Sequence, residues 1–434
     1  MNKGGDMKFT LSKVLGMMLV LSLAFGGHSF ADENEVVALK EELKGLKDEI
    51  AQLKGDFHRM EADKKAGHGT GTGAYVAPAR ESETGLIHTA QDINMGGYVD
   101  VQFNNNFNQP EGTTGTNTLR VFDTDDGSFT VNSTELWFEK AAHEIGEAGF
   151  RIDLQLGEDA DVVNADNSGD TGKIDLQQAY VEYIAGLGIF EGNSVLPDRI
   201  NIKAGRFATL AGLEVIESPD NWTISRSVMF GFGLPFTHTG VRTNFGLFDN
   251  FFDVYFGVNN GWDQAVDQNS EKTMEWGLGY DPLENVNVFH AIYLGQERPS
   301  GAGSDNEGNR FLWTNVVTWD ATDALQFAQE FNYGTDRNRL DTTNVTWYGT
   351  ALNSRYQFTD KFAMAYRFEW FHDNGDTRTT TDSYVGNTFT AEYKLNSNLL
   401  ARGEVRWDRT DEDRRFAGES SQVTVGGQMI YLIG

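Results

Sequence analysis

The sequence predicts an all-β transmembrane barrel of about sixteen antiparallel strands, preceded by an N-terminal α-helical coiled coil. Three observations carry the barrel. From Asn94 onward, segments of roughly ten residues alternate apolar and polar with period two, and their polar faces carry charge. The connections between segments alternate strictly between short and long. Aromatic residues gather near the segment ends. A buried sheet face does not carry rows of charge, so the polar face must meet water, and short/long alternation is the pattern of an up-and-down meander with one set of ends on each membrane side.

The chain has 434 residues, 39% of them hydrophobic, with a net charge of -29 and no cysteine. No window after the N-terminus approaches the ~20 apolar residues of a membrane helix, which excludes a helical membrane protein. Without cysteine it is not a small disulfide-stapled domain. Residues 1–31 read as a signal peptide: Lys8 and Lys13, an apolar run from Val14 to Phe25, and small residues at Ser29 and Ala31, with cleavage expected after Ala31.

Residues 32–65 follow as a coiled-coil stalk. Val36, Leu39, Leu43, Leu46, Ile50, Leu53, Phe57 and Met60 recur in steps of three and four, the a/d seam. Lys40, Lys47 and Lys54 fall at e, and Glu35, Glu42, Glu49 and Asp56 at g, so a parallel copy of the chain pairs opposite charges. The expected partner is therefore a second copy of this chain. Residues 66–93, beginning AGHGTGTGAYVAPA, read as a flexible linker, and residues 94–434 as the barrel.

Within the barrel, GYVDVQF sets Val99, Val101 and Phe103 against Asp100 and Gln102, and GFRIDLQL sets Phe150, Ile152, Leu154 and Leu156 against Arg151, Asp153 and Gln155. FAMAYRFEW and LARGEVRWD repeat the pattern more strongly. Strands are expected to begin near Met95, Phe129, Phe150, Ile174, Ile200, Gly240, Phe252, Thr273, Val286, Phe311, Leu325, Thr346, Phe362, Tyr384, Leu399 and Gln422. Short turns fall at Gly246 to Asn250, Asp281 to Asn285, Asp320 to Ala324, Thr359 to Lys361 and Asn396 to Asn398. Long connections run over 108–127, 157–172, 208–237, 261–271, 296–309, 334–344, 373–382 and 408–419. Ile184 to Asp198 is a long connection on the short-turn side, expected to touch a neighbouring subunit. Trp262, Trp276, Tyr280, Trp313, Trp319, Trp347, Trp370, Tyr393 and Trp407 are expected to form the interfacial girdles. A barrel of this size encloses an aqueous channel.

By face parity Arg151, Asp153, Glu182, Lys203, Arg367, Glu369, Arg402, Glu404 and Arg406 point inward, and Glu214, Glu217, Asp220 and Arg226 of the third long connection can hang into the bore. Opposed acids and bases at a constriction orient dipolar solutes. The bland alternative is a solvated interior without discrimination, since a wet wall must be polar anyway.

The run KAGRFATLAGLEVIESPDNW, then SRSVMFGFGLPFTHTGVR, resembles outer-membrane porins of the beta-barrel porin-2 type, within the general diffusion porins. The matching pieces are Gly205-Arg206-Phe207, Gly212-Leu213-Glu214, Ser225-Arg226-Ser227 and His238-Thr239-Gly240-Val241-Arg242. The resemblance implies a barrel in the outer membrane of a Gram-negative bacterium, a third loop folded inward, and a homotrimer passing small hydrophilic solutes by diffusion. It adds Arg206 and Arg242 to the expected pore lining. The chain departs from the pattern in its ending, MIYLIG, which lacks a terminal aromatic residue, and in its coiled coil. Outer-membrane lipid and lipopolysaccharide are the expected surroundings. Peptidoglycan is a further partner if the coiled coil makes the barrel a structural tether, the second reading; a third is a channel specific for oligosaccharide.

No enzyme, cofactor or metal is expected. His238 near Ser225 and Asp220 is the one acid–base constellation to weigh. DTDDGS (Asp123 to Ser128) and DNSGDTG (Asp166 to Gly172) resemble fragments of calcium loops but lack the bidentate Glu downstream, and read better as solvated acidic tips. No basic aromatic stripe argues for nucleic acid. The net charge of -29 sits largely in the loops and the coiled coil and the inward set is mixed, so it does not set the sign of selectivity; a cation preference is a weak hypothesis.

Overall fold

The computed structural model describes residues 93–434, apart from 111–114, 166–172, 189–192, 194, 270, 298–307, 340–342, 376–377, 380 and 414. The predicted signal peptide, coiled-coil seam and linker lie outside the described residues.

Sixteen strands close into one antiparallel barrel, each pairing with its sequence neighbours and β16 returning to β1. In chain order they are β1 Asn94–Asn106, β2 Ser128–Lys140, β3 Ala148–Leu156, β4 Ile174–Gly186, β5 Arg199–Ala208, β6 Thr237–Leu247, β7 Phe252–Asn259 and β8 Thr273–Leu283. Then come β9 Val286–Glu297, β10 Gly308–Asp320, β11 Leu325–Arg339, β12 Thr343–Gln357, β13 Phe362–Asn374, β14 Ser383–Lys394, β15 Leu399–Thr410 and β16 Ser421–Ile433. Every strand start lies within three residues of its sequence expectation. Closure leaves no edge strand, the condition for crossing a membrane with β-structure. The final segment pairs on both sides, Tyr431 with Val99 of β1 and with Leu399 of β15, so it closes the ring.

Burial is inverted relative to a soluble protein. Phe129 is 79% exposed, Val181 62% and Phe389 53%, whereas the inward-facing Arg367, Glu369 and Arg406 are 1% exposed or less. An apolar face of this extent is stable only against lipid.

The structure departs from the expected elements at two places. The connection expected over 334–344 is mostly strand: β11 and β12 stay paired through Asp336 and Val345, leaving 340–342 between them. Backbone groups keep their partners by extending the hairpin, and Asp336 holds Arg310 of β10 at 2.7 and 3.0 Å. Trp262 and Trp347 are not girdle residues. Both are buried, edge-to-face at 6.2 Å, and Trp347 faces inward by the alternation of β12. The other expected girdle positions on strands alternate outward, as with Trp276, Trp319 and Tyr393. At the ends of the connection between β4 and β5, Leu187 N donates to Asp198 O, and Phe248 N donates to Val195 O.

Two bulges matter for the interior. At Asp100/Val101 the β1–β2 register shifts, and Asn132 and Ser133 of β2 are both buried; at Asp153/Leu154 the β3–β4 register shifts, and Gln177 and Gln178 of β4 are both buried. A bulge turns an extra side chain toward one face, here supplying the lumen with polar groups.

Candidate functional site

The third long connection, residues 209–236 between β5 and β6, is packed inside the barrel. It contains a 3₁₀ turn, Ser218–Asp220, and a short helix, Val228–Gly233, capped by Ser227, whose side chain accepts from Phe230 N. Gly212 has φ of 86°, and a Cβ there would come within 2.7 Å of Leu234 Cδ2, so the Gly-Leu-Glu turn needs glycine.

An irregular segment inside a barrel must find partners for its backbone away from bulk water. The strand wall of β13 and β15 supplies them with charged side chains. Glu404 accepts from Ile224 N (2.6 Å), Ser225 N (3.1 Å) and Ser225 Oγ (2.5 Å). Glu369 accepts from Val228 N at 2.7 Å. Arg406 donates to Arg226 O (2.6 Å), Arg402 to Ser218 O (3.0 Å) and Pro219 O (3.1 Å), and Arg367 to Ser225 O (2.7 Å). The three arginines and Glu369 are themselves neutralised in pairs. Arg367 meets Glu214 at 2.6 Å, Arg402 meets Glu392 at 2.9 Å, and Arg406 meets Glu369 at 3.1 Å and Asp408 at 2.8 Å. Charge-assisted bonds of this kind are the stronger class.

The loop's apolar side packs elsewhere. Leu210, Met229, Phe230, Leu234 and Phe236 share one cluster with Phe122, Tyr255, Phe289, Tyr293, Trp347 and Phe371. Tyr293 Oη accepts from Leu210 N at 2.8 Å, Glu330 from Leu213 N at 3.0 Å, and Trp347 Nε1 donates to Gly233 O at 2.9 Å. At the loop's end Asp263 accepts from Phe236 N (2.8 Å) and Thr237 N (2.9 Å). Burial pushes the Asp263 carboxyl up to about 6, against the pull of these two bonds.

Of the residues expected to line the bore, Arg367, Glu369, Arg402, Glu404 and Arg406 converge on this loop. Glu214 joins them, its Oε2 accepting from Ser227 N at 2.8 Å. Arg226 does not face Glu214 across water. It is buried over the Phe122 ring at 4.8 Å and donates to Ile224 O (3.2 Å) and Ser218 Oγ (3.2 Å), bracing the loop on itself. Glu214 and Asp220 line a pocket with Leu213, Asn221, Trp222, Thr223 and Asn353. Glu217 accepts from Gln177 Nε2 at 2.5 Å, and burial followed by the nearby Asp220 raises its carboxyl pKa.

Arg206, Arg242 and Lys203 stand apart. Arg206 makes a bidentate pair with Asp175 (2.8 and 2.9 Å) and donates to Val163 O (2.9 Å), holding the helix Glu158–Val163 of the second connection. Arg242 makes a bidentate pair with Glu275 (2.6 and 3.0 Å), lies over Phe207 at 4.1 Å and donates to Ala208 O. Lys203 Nζ sits 3.9 Å from the Tyr180 ring. Arg206 and Arg242, the motif arginines on β5 and β6, thus brace the loop's two stems.

Sequence reading missed Glu275, Glu330 and Tyr293, which inward parity on their strands would have flagged, and Asp263, which carries no local signal. His238 forms no acid–base set with Ser225: its Nδ1 meets Gly261 O at 3.1 Å and its ring stacks on Tyr293, while Ser225 is bonded to Glu404.

A family model described as "Putative beta-barrel porin-2, OmpL-like" matches residues 92–433. Among solved structures the chain is similar to the outer membrane channel DcaP of Acinetobacter baumannii, at 11% identity and TM-score 0.54, over 80% of this chain and 100% of that one. It is also similar to an anion-selective porin from Comamonas acidovorans, at 12% identity and TM-score 0.51, over 79% and 99%. In vitro folded OmpT of Vibrio cholerae aligns at 9% identity and TM-score 0.50, over 80% and 99%. At these identities the likeness is one of fold. No curated protein matches the chain. With its family model spanning the whole barrel, the chain belongs to the beta-barrel porin-2, OmpL-like family, a porin-like channel of the Gram-negative outer membrane.

Proposed function

We propose that the protein is a diffusion channel for small hydrophilic solutes and ions, narrowed by the 209–236 connection. The observation that carries this reading is that the connection is tied to inward-facing charges of β13 and β15, so it occupies cross-section that a barrel of this size would otherwise leave to water. Glu214 and Asp220, at the pocket edge of the loop, are the carboxylates we assign to solute contact; Arg226 and the strand arginines serve as its supports. The mixed acid and base character of the interior favours dipolar solutes and weak binding over a tight site.

We further propose that the chain is exported by its 1–31 signal peptide, that the 32–65 seam joins copies in the periplasm, and that the assembly is a trimer standing among lipid and lipopolysaccharide. Planar-bilayer recording of the purified chain tests the central reading. Stepwise conductance increments are expected; a silent bilayer from folded, heat-modifiable protein would favour a tether reaching toward peptidoglycan instead.

A further inference from the structure

Across the loop from its arginine anchors lies a group of oxygens with too few donors. Glu135 of β2, Asp153 of β3 and Glu217 of the loop bring one carboxylate oxygen each within 4.8 Å of one another. Asp153 is held by Arg151 Nε (2.8 Å) and Gln178 Nε2 (2.5 Å), and Glu217 by Gln177 Nε2. Among the described residues Glu135 Oε2 has no hydrogen-bond partner, and neither has the amide oxygen of Gln155 or of Gln177; all three side chains are 1% exposed or less. Gln155 stands directly opposite Glu135 in the β2–β3 register, and Gln177 already touches Glu217. The β3–β4 bulge is what turns Gln177 to this face beside Gln178.

The charge balance points the same way. Arg151 pairs with one carboxyl of the three, and among the described residues the other two form no salt bridge. Each buried acceptor left bare costs about 1–3 kcal/mol, and like charges at this range repel one another further. A hard dication relieves both, because Ca²⁺ takes carboxylate and amide oxygens in a flexible shell.

We propose that Glu135, Asp153 and Glu217, with the amide oxygens of Gln155 and Gln177, form a divalent-cation site, fitted by chemistry to Ca²⁺, that pins the 209–236 loop to β2 and β3. The ion supplies on this wall the anchoring that Arg402, Arg406 and Arg367 supply on the other. It differs from the acidic loop tips of the sequence, being built inside the barrel from residues of β2, β3, β4 and the third connection.

The test uses the full chain folded in detergent, stripped with a chelator, and titrated with CaCl₂ alone by calorimetry and by thermal unfolding. We expect one Ca²⁺ per chain and a melting temperature that rises with Ca²⁺ concentration. Glu135→Gln and Glu217→Gln should each weaken binding at least ~10-fold and abolish the thermal shift, while Asp198→Asn, in an exposed turn, should change neither. Glu217 lies in the connection rather than a strand, so its variant decides the matter if Glu135→Gln fails to fold. Absence of binding to the wild type, or binding unchanged in Glu217→Gln, would overturn the proposal. So would a wild-type stability that responds to pH but not to Ca²⁺, the mark of carboxyls sharing a proton.

Discussion

On β13 and β15 the side chains facing the loop are Arg367, Glu369, Arg402, Glu404 and Arg406; roughly half the barrel away, on β6 to β9, the inward positions include Gly240, Gly257, Gly277, Gly279 and Ala291. The first wall reaches out and bonds loop backbone. The second recedes at these positions and lets loop side chains approach: a Cβ on Gly277 would sit 3.1 Å from Leu210 Cδ1. The difference follows from what each side of the loop offers. Its 224–228 stretch presents bare N–H and C=O groups, which only polar partners satisfy, while Leu210, Met229 and Phe236 present apolar surface, which only close packing rewards.

Breaking the charged wall should therefore cost most. Glu404→Ala leaves two backbone N–H groups and the hydroxyls of Ser225 and Thr390 without this acceptor, and we expect a loss of about 3–5 kcal/mol in thermal or urea unfolding of the detergent-folded barrel. On the receding wall, Gly277→Val inserts branched carbon against Leu210, Tyr255 and Phe289 and should cost about 1–3 kcal/mol by the same assay.

Asp263, like Tyr293, lets the receding wall bond loop backbone as the charged one does. Its folded-state pKa of about 6 lies above the ordinary 3.8, so the unfolded chain ionises first and the carboxyl's contribution is lost as pH rises between about 4 and 6. Asp263→Asn should remove that slope, a difference on the order of 1–2 kcal/mol after solvent screening. Melting temperatures of the two proteins at pH 4, 5, 6 and 7 check this, and parallel curves would contradict it. The smallest effect is expected from Trp347→Phe, which keeps the ring packing but drops the bond to Gly233 O: about 1 kcal/mol in unfolding.

Much of this was legible in the sequence. Period-two alternation located all sixteen strands, because inside and outside of a barrel differ so sharply that register is fixed by the pattern itself. Parity likewise found Arg367, Glu369, Arg402, Glu404 and Arg406 on the inner face. What parity does not give is the partner. Whether an inward arginine meets water or a carbonyl depends on the path of a loop some 180 residues away in sequence, as with Arg406 and Arg226 O. For the same reason Arg226 read as a filter charge although it braces the loop, and Trp347 read as a girdle residue although it packs on Gly233. The bulge that turns Gln177 inward is a one-residue irregularity with no signature in the local alternation.

The central claim is that the charged wall holds a constriction. Single-channel conductance of the Glu369→Ala/Glu404→Ala double variant, compared with wild type in the same lipid and salt and with folding checked by heat-modifiable migration, tests it most directly. Released from Val228, Ile224 and Ser225, the loop should block less of the bore, and conductance should rise or flicker between a low and a high level. A folded double variant with unchanged, steady conductance would contradict the account.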